Sequence, residues 1–244
     1  QKYNDREVSA PGTVIISAVG HCNDINRVVE PVFNSRFDSI YYINLSCDDY
    51  KLGGSSFAQT LGEIGEKTPT TKDSNFVVNV FNTIQDLIRK DLIIAGHDVS
   101  SGGLITTIME MCFADNNIAA NIDLTSIGEK DSIKLLFSEN PGIVVQSKDK
   151  SIEEILYNKG IDYYKIGSVT TARNLLLKNH SDSYEINIEE YRDYWFKTSM
   201  LLDKKQTANN LSKIRYTNYK KQALNFKFPT DFTGKIPMLS EMEY

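Results

Sequence analysis

The stretch DLIIAGHDVSSGGLITTIMEMCF, residues 91–113, constrains the fold more than any other part of the chain. A short apolar run is followed at once by a glycine-bearing loop, and the loop by apolar residues dense enough for a buried helix. Strand, glycine loop and helix in that order form a unit of α/β architecture. The junction is where such folds hold anions, because the N–H groups of a helix start point at it. Residues 92–96, LIIAG, read as a short buried strand of the parallel-sheet kind. Residues 97–103 read as the strand-to-helix loop and residues 104–113 as the helix.

The flanking sequence points to the same class. Residues 73–90 place Phe76, Val77, Val80, Phe81, Ile84, Leu87 and Ile88 on one stripe, with Asp73 or Ser74 set to cap the helix and Asp91 to end it. Runs rich in β-branched and aromatic residues predict strands over 12–19 and 39–45, and further strands over 119–124, 142–146, 163–169, 174–178 and 183–188. Helical spacing predicts helices over 25–32, 133–137, 151–158 and 188–202. Strands interleaved with helices make an α/β sandwich, the order after Lys90 being closer to a ferredoxin-like βαββαβ arrangement than to a doubly wound sheet. From Asp203 the chain turns polar and basic, DKKQTANNLSKIRYTNYKKQ, and its last residues scatter aromatics without period. The expected plan is a linker over 1–10, one domain over 11–202, and an irregular or helical connector over 203–244.

Composition narrows the function class. A chain of 244 residues, 41% of them hydrophobic, can bury a full core. A net charge of −5 argues against non-specific nucleic-acid binding, and no apolar run approaches the ~20 residues of a membrane helix. Neither a nucleic acid nor a membrane is therefore an expected partner. Cys22, Cys47 and Cys112 lie far apart without a CxxC pair, which excludes a zinc ribbon or thioredoxin motif and disfavours a disulfide framework. Cys22 and Cys47 read as small core residues rather than nucleophiles, and the compartment as reducing and cytoplasmic. The polar opening QKYNDREVSAPG has no signal-peptide core and no initiator methionine, so a fragment of a longer polypeptide is expected.

Two short motifs carry chemistry. In HDVSSGGL, Asp98 is a hard oxygen ligand at the end of a strand, suited to magnesium, which takes one or two carboxylates together with phosphate oxygens and water. Ser100 can donate its hydroxyl to a phosphate; Gly102 and Gly103 let backbone N–H groups approach an anion; His97 can orient Asp98 or a phosphate. The same residues also fit a plain helix cap, and pattern alone leaves both readings open. In KLGGSS, Gly53, Gly54, Ser55 and Ser56 form either a second anion cradle or a turn with a serine cap. Glu63 and Glu66 read as solvated acids. Glu139, in LFSENPG, sits at a turn before a strand, either beside the site or on the surface. His21 and His180 have no partner at metal-ligand spacing and read as loop histidines. Trp195 reads as the anchor of its helix on the core.

Taken in order, APGTVIIS, KLGGSSFAQTLGEIG, FNTIQDLIRKDLIIAGHDVSSGGLITTIMEMCFA, LLFSENPGIVVQ, IGSV and YWFKTS resemble one domain of a known family. It is the C-terminal AIR synthetase-related domain of large-type phosphoribosylformylglycinamidine synthases, and the likeness runs from about residue 10 to about residue 202. HDxSxGGL together with LFxExxG carries most of its specificity. The same domain type occurs in aminoimidazole ribonucleotide synthetase, selenophosphate synthetase and thiamine-monophosphate kinase; the GGSxxAQxxGxxG stretch and the polar segment after Trp195 favour the first family. The resemblance implies an AIR synthetase-type α/β sandwich and a C–N ligase of purine biosynthesis that uses ATP and magnesium. ATP would phosphorylate the formyl-amide oxygen of formylglycinamide ribonucleotide, and ammonia from glutamine would displace the phosphate. Asp98 would be one magnesium ligand and Ser100 a contact to the nucleotide phosphates or substrate, with His97, Gly102, Gly103 and Gly53 to Ser56 around the same cleft. The implied partners are preceding synthetase domains, which hold the other magnesium ligands, and a following glutaminase domain with its own cysteine. The fragment alone would then have no catalytic residue and no activity. A structural nucleotide-binding copy of the domain, or another kinase or synthetase of the superfamily, is the alternative; retention of both Asp98 and Ser100 favours the catalytic copy. Ser101 departs from the family pattern, which often has an acid there, and this puts any role of that position in doubt.

Overall fold

The structure, a computed structural model, describes residues 2–3, 6–7, 15–22, 24–37, 39–115, 117–221, 231 and 233. The chain divides into two units, Gln1–Asn26 with Pro229–Tyr244, and Arg27–Phe228. In the first, strands β1 (Lys2–Tyr3) and β2 (Arg6–Glu7) pair antiparallel. Residues 15–20 form no strand, and Ile15, Ile16 and Val19 are at least 86% exposed. A β-branched run becomes a strand where a neighbour pairs with it and a core takes one face. Among the described residues 15–19 have neither, so the expected strand is not formed there; residues 12–14 lie outside the described residues.

The second unit is built on a seven-stranded sheet. Its elements are β3 (Ser39–Asn44), α1 (Ser56–Thr60), α2 (Ser74–Arg89), β4 (Ile93–Val99), α3 (Gly103–Phe113), β5 (Ala119–Asp123), α4 (Ser132–Phe137), β6 (Gly142–Ser147), α5 (Ser151–Asn158), β7 (Tyr164–Thr170), β8 (Asn174–Asn179), β9 (Asp182–Asn187), α6 (Ile188–Gln206) and α7 (Leu211–Asn218). In space the strands run β4-β6-β3-β7-β5-β8-β9. The pairings are antiparallel except β5 with β8. The succession from β4 to β7 is thus strand and helix in turn, with β3 inserted between β6 and β7.

Alternation along β3 explains the layers. Ile40 and Tyr42 belong to one core cluster, with α3, α4 and strands β5 and β8; Tyr41 and Ile43 belong to the other, with α2 and α5. Side chains of a strand point to opposite faces in turn, so SIYYIN, its middle four residues all buried, must be covered on both sides. Helix α2 supplies cover through Val80, Ile84 and Leu87, and Asp73 caps it by accepting from the N–H groups of Asn75 and Phe76. Lys90 closes the helix and Asp91 turns the chain at φ 61°.

Three further expectations are corrected. The LIIAG segment buries Ile93 and Ala95 but is not of the parallel-sheet kind: β4 is an edge strand, antiparallel to β6, and extends to Val99. Residues 97–99 are consequently strand, and the loop before α3 contains only residues 100–102. The helix expected over 25–32 is a single 3-10 turn, Ile25–Arg27. Pro31 restricts residue 30 to extended backbone, and Glu30 instead bridges Ala95 in parallel, its carbonyl accepting from the Gly96 N–H at 3.2 Å. Cys22 and Cys47 are exposed; only Cys112 is a core residue, and burial pushes its thiol up to about 12.

The polar segment after residue 202 is helical in large part. Helix α6 runs on to Gln206, and α7 packs against it through an Arg215–Asp203 pair. Where α6 begins it is fastened to the C-terminal end of α3. Arg173 Nη1 donates to the carbonyls of Cys112, Asp115 and Ile118 at 3.0, 2.7 and 2.6 Å, and Arg192 Nη1 donates to that of Phe113 at 3.2 Å. Glu189 pairs with both guanidinium groups. Trp195 contacts Phe113, ring centroids 5.9 Å apart, yet leaves half of its surface exposed.

Candidate functional site

The site is built where two helices begin. Strand β4 ends at Val99, and Gly102 turns into α3 at φ 88°, a left-handed conformation that a side chain would strain. Gly103, at φ 75°, leaves no space at all: a Cβ there would stand 2.6 Å from the Leu136 carbonyl oxygen and 2.7 Å from that of Ser138. Gly103 is thus required by the approach of α3 to the end of α4, and Gly102 by its left-handed backbone and the Thr106 side chain beside it. This packing demand exists whatever the loop binds.

Asp98 pairs with Ile143 near the end of β4, and its side chain is 73% exposed. A bulge precedes it. Ile93 belongs to the cluster under α2 and Ala95 to the one under α3, because the register shifts between them. Asp98 therefore lines a groove of about 460 Å³ beside α2, with Val29, Phe81, Gly96 and Ile143. The main chain beneath it is held firmly: the Asp98 carbonyl accepts from Thr107 Oγ1 at 3.0 Å, and His97 Nδ1 lies 2.7 Å from the same oxygen. His97 also stands 3.3 Å from the Asp98 carboxylate and, through Nε2, 3.4 Å from Glu110 on α3. Ser100 and Ser101 are exposed.

The KLGGSS segment leads into α1. Ser55 is buried; its hydroxyl accepts from the Ala58 N–H and donates to the Leu52 carbonyl, so it caps α1. The N–H groups of Gly53, Gly54 and Ser55 bond to the carbonyls of Lys67, Ile64 and Leu52. The fourth, of Ser56, is taken by Glu139. All four amides are engaged within the protein, and Gly53 faces a cavity of about 530 Å³ lined also by Lys51, Phe57, Lys67 and Lys134. Just ahead of this segment Asp48 accepts from Lys51, Lys72 and Thr70. Those donors, Lys51 first, hold its carboxyl well below the usual carboxylate range.

What joins the two motifs is a residue whose place the sequence leaves open. Glu139 Oε1 accepts from the Ser56 N–H at 2.8 Å and from the Gly102 N–H at 2.8 Å. Its neighbour Asn140, fully buried, donates to Ser46 Oγ and to the Asp49 carbonyl at 2.9 and 3.1 Å. The SENPG turn is therefore the piece that holds both glycine motifs in place. Partners 83 and 37 positions away give no local pattern. The available signal was a lone acid between an apolar helix and an apolar strand.

Among the described residues no three His, Cys, Asp or Glu side chains converge on a point that could hold a metal. Asp98 offers one hard oxygen ligand and would need others from outside these residues. Glu63, Glu66 and His21 are exposed, and His180 sits in the turn between β8 and β9 at φ 50°.

Residues 38–177 match the family described as AIR synthase related protein, C-terminal domain. The chain belongs to this family. Its relatives include a probable phosphoribosylformylglycinamidine synthase, chloroplastic/mitochondrial, of Arabidopsis thaliana, 35% identical over 82% of the chain, and the phosphoribosylformylglycinamidine synthase of Homo sapiens, 31% identical over 82%. The chain spans 14% and 15% of the length of these two proteins. Among solved structures it resembles T. maritima PurL complexed with FGAR, with a TM-score of 0.54 and 17% identity over 68% of this chain and 30% of that one. The PurL complexed with ATP gives 0.50 and 15% over 67% and 27%. These likenesses establish the AIR synthase-type α/β fold. No helix among the described residues is long and apolar enough to cross a membrane.

Proposed function

We propose that this chain is part of a phosphoribosylformylglycinamidine synthase, an ATP-dependent C–N ligase of purine biosynthesis, and that it supplies magnesium and phosphate contacts to a site completed by other domains. Relatives bearing that name support the reading, and so do likenesses to PurL complexed with ATP and with FGAR. The observation that carries it is the placement of Asp98, an exposed carboxylate on a main chain pinned by Thr107 and His97, two residues before the exposed Ser100. Asp98 fits magnesium as a single oxygen ligand, and the ion, when bound, would neutralise phosphate charge. Ser100 would donate to a phosphate oxygen or to the formylglycinamide ribonucleotide. Transfer of a phosphoryl group is mostly positioning and charge compensation, so such residues contribute without forming bonds of their own.

In this reading the domain over 11–202 stands between preceding synthetase domains, with the remaining metal ligands, and a glutaminase domain that the connector over 203–244 approaches. Gly53 to Ser56 contribute a wall to the site, since their amides are already bonded. The three thiols are free, which suits a reducing compartment such as the cytoplasm. The test is Asp98→Asn in the full-length enzyme, followed by synthesis and glutaminase assays. Synthesis is expected to fall on the order of 100-fold with glutaminase activity retained. Unchanged synthesis would overturn the assignment and leave a structural copy of the domain.

A further inference from the structure

We propose that Glu139 is a positioning residue of the synthetase site, which sets the loop bearing Asp98 and Ser100 against the loop of Gly53 to Ser56; this rests on the reading just given. One oxygen, Glu139 Oε1, accepts two main-chain N–H groups, both at 2.8 Å, from segments that do not otherwise share a ladder. Ser56 is the first residue of α1, and Gly102 is the N-cap of α3 with no side chain of its own to cap with. The amides at a helix start have no intrahelical acceptor. A carboxylate brought to both satisfies one at each helix and places negative charge where both helix dipoles favour it.

The attachment beneath is stiff. Glu139 follows Ser138, whose carbonyl sits against Gly103, and precedes Asn140, whose buried amide holds Ser46 and Asp49. The carboxylate thus stands on a turn fixed to the start of α3 on one side and to the segment leading into α1 on the other. Remove it and each helix keeps its own hydrogen bonds, but the Ser56 and Gly102 amides lose the one acceptor they share. Its carboxylate bonds to Ser56 and Gly102, not to Asp98 or Ser100; it acts through where the loop stands.

Four single variants of the full-length enzyme and one double variant test this. Glu139→Ala is expected to raise KM for ATP about tenfold, and to raise that for formylglycinamide ribonucleotide as well, because both loops lose their shared reference. Glu139→Gln keeps an amide oxygen able to accept both bonds and should restore both KM values to within about threefold of wild type. Ser56→Pro removes the second partner without disturbing α1, since proline is favoured at the first helical position and Ser55 is already extended at φ −71° and ψ 157°. Read against Ser56→Ala, which keeps the amide, Ser56→Pro should raise KM, and it should add little to Glu139→Ala in the double variant. Glu139→Ala with both KM values unchanged would overturn the proposal, as would a Glu139→Gln variant no better than the alanine. So would full additivity with Ser56→Pro. If Asp98→Asn collapses synthesis while these variants behave as wild type, the function stands and the role of Glu139 falls; if Asp98→Asn is silent, the functional reading itself has failed.

Discussion

The two ends of α3 are held in opposite ways. At the C-terminal end two guanidinium groups, Arg173 and Arg192, take four carbonyls that a helix end and its following turn leave without partners, and Glu189 fastens both. At the N-terminal end the cap residue is a glycine, and the acceptor is one carboxylate from the SENPG turn, shared with α1. The charges suit the helix dipole at both places, acid at the start and base at the finish. The number of contacts does not match. The rear is a clamp of two side chains with several bonds, whereas at the front one carboxylate oxygen is shared between the starts of two helices. In the proposed reading a ligand-binding loop benefits from the second arrangement, because it can be placed accurately by one group while its outer face stays open.

The largest way to break this comparison is to remove the clamp. Arg173→Ala leaves the carbonyls of Cys112, Asp115 and Ile118 without their donor and Glu189 with one fewer cation. Loss of one partner from a largely buried ionic and hydrogen-bonded group costs about 3 kcal/mol. Chemical denaturation of the domain should show a midpoint shifted accordingly, and α6, which begins at Ile188, should exchange its amide protons faster. If stability is unchanged, the clamp is not what holds the rear of α3.

Much of this could be seen in the sequence, and the limits are physical. The stripe of α2 and its Asp73 cap follow from residues three and four apart, as does the strand–loop–helix order around Asp98. The burial of SIYYIN on both faces follows from its lack of any polar residue within the middle four. The bulge between Ile93 and Ala95 carries no such signal, yet it decides which face Asp98 takes. The sequence around residues 12–19 satisfies every local rule for a strand and still forms none over 15–19, because a strand needs an edge to pair with. Glu139, Arg173 and Arg192 act across tens of residues; the sequence leaves Glu139 open between site and surface and gives the two arginines no local sign of their distant partners.

Acid should act on the front of the molecule through Asp48, as it should on the rear through Glu189, whose carboxyl the two guanidinium groups lower against the desolvation of burial. Asp48, ahead of the KLGGSS segment, is held by Lys51, Lys72 and Thr70, and its carboxyl lies well below the ordinary value. A carboxyl lowered on folding contributes stability that is fully present above its unfolded value, about 3.9, and is lost as pH falls through the folded one. Wild type should therefore melt above Asp48→Asn by a constant margin from pH 7 to about pH 5. The margin should shrink at pH 3. A margin that persists undiminished at pH 3, or that is missing at pH 7, would mean that Asp48 does not organise this segment through its charge.

The smallest expected effect sharpens the comparison most. Helix α2 is capped in the ordinary way: Asp73 accepts from Asn75 and Phe76, both within its own first turn. Its removal in Asp73→Ala should cost about 1 kcal/mol, the usual worth of an N-cap. The loss should stay local, because Asp73 joins α2 to nothing else at its start, and KM for ATP in the full-length enzyme should not move. Removal of the Glu139 carboxylate deletes the same kind of bond, a carboxylate oxygen to amides at a helix start, but between two elements instead of within one. Equal stability losses with different KM responses would separate capping from positioning. If Asp73→Ala raised KM as far as Glu139→Ala does, the difference between a cap and a shared anchor would lose its meaning, and the site would be responding only to the overall stability of the domain.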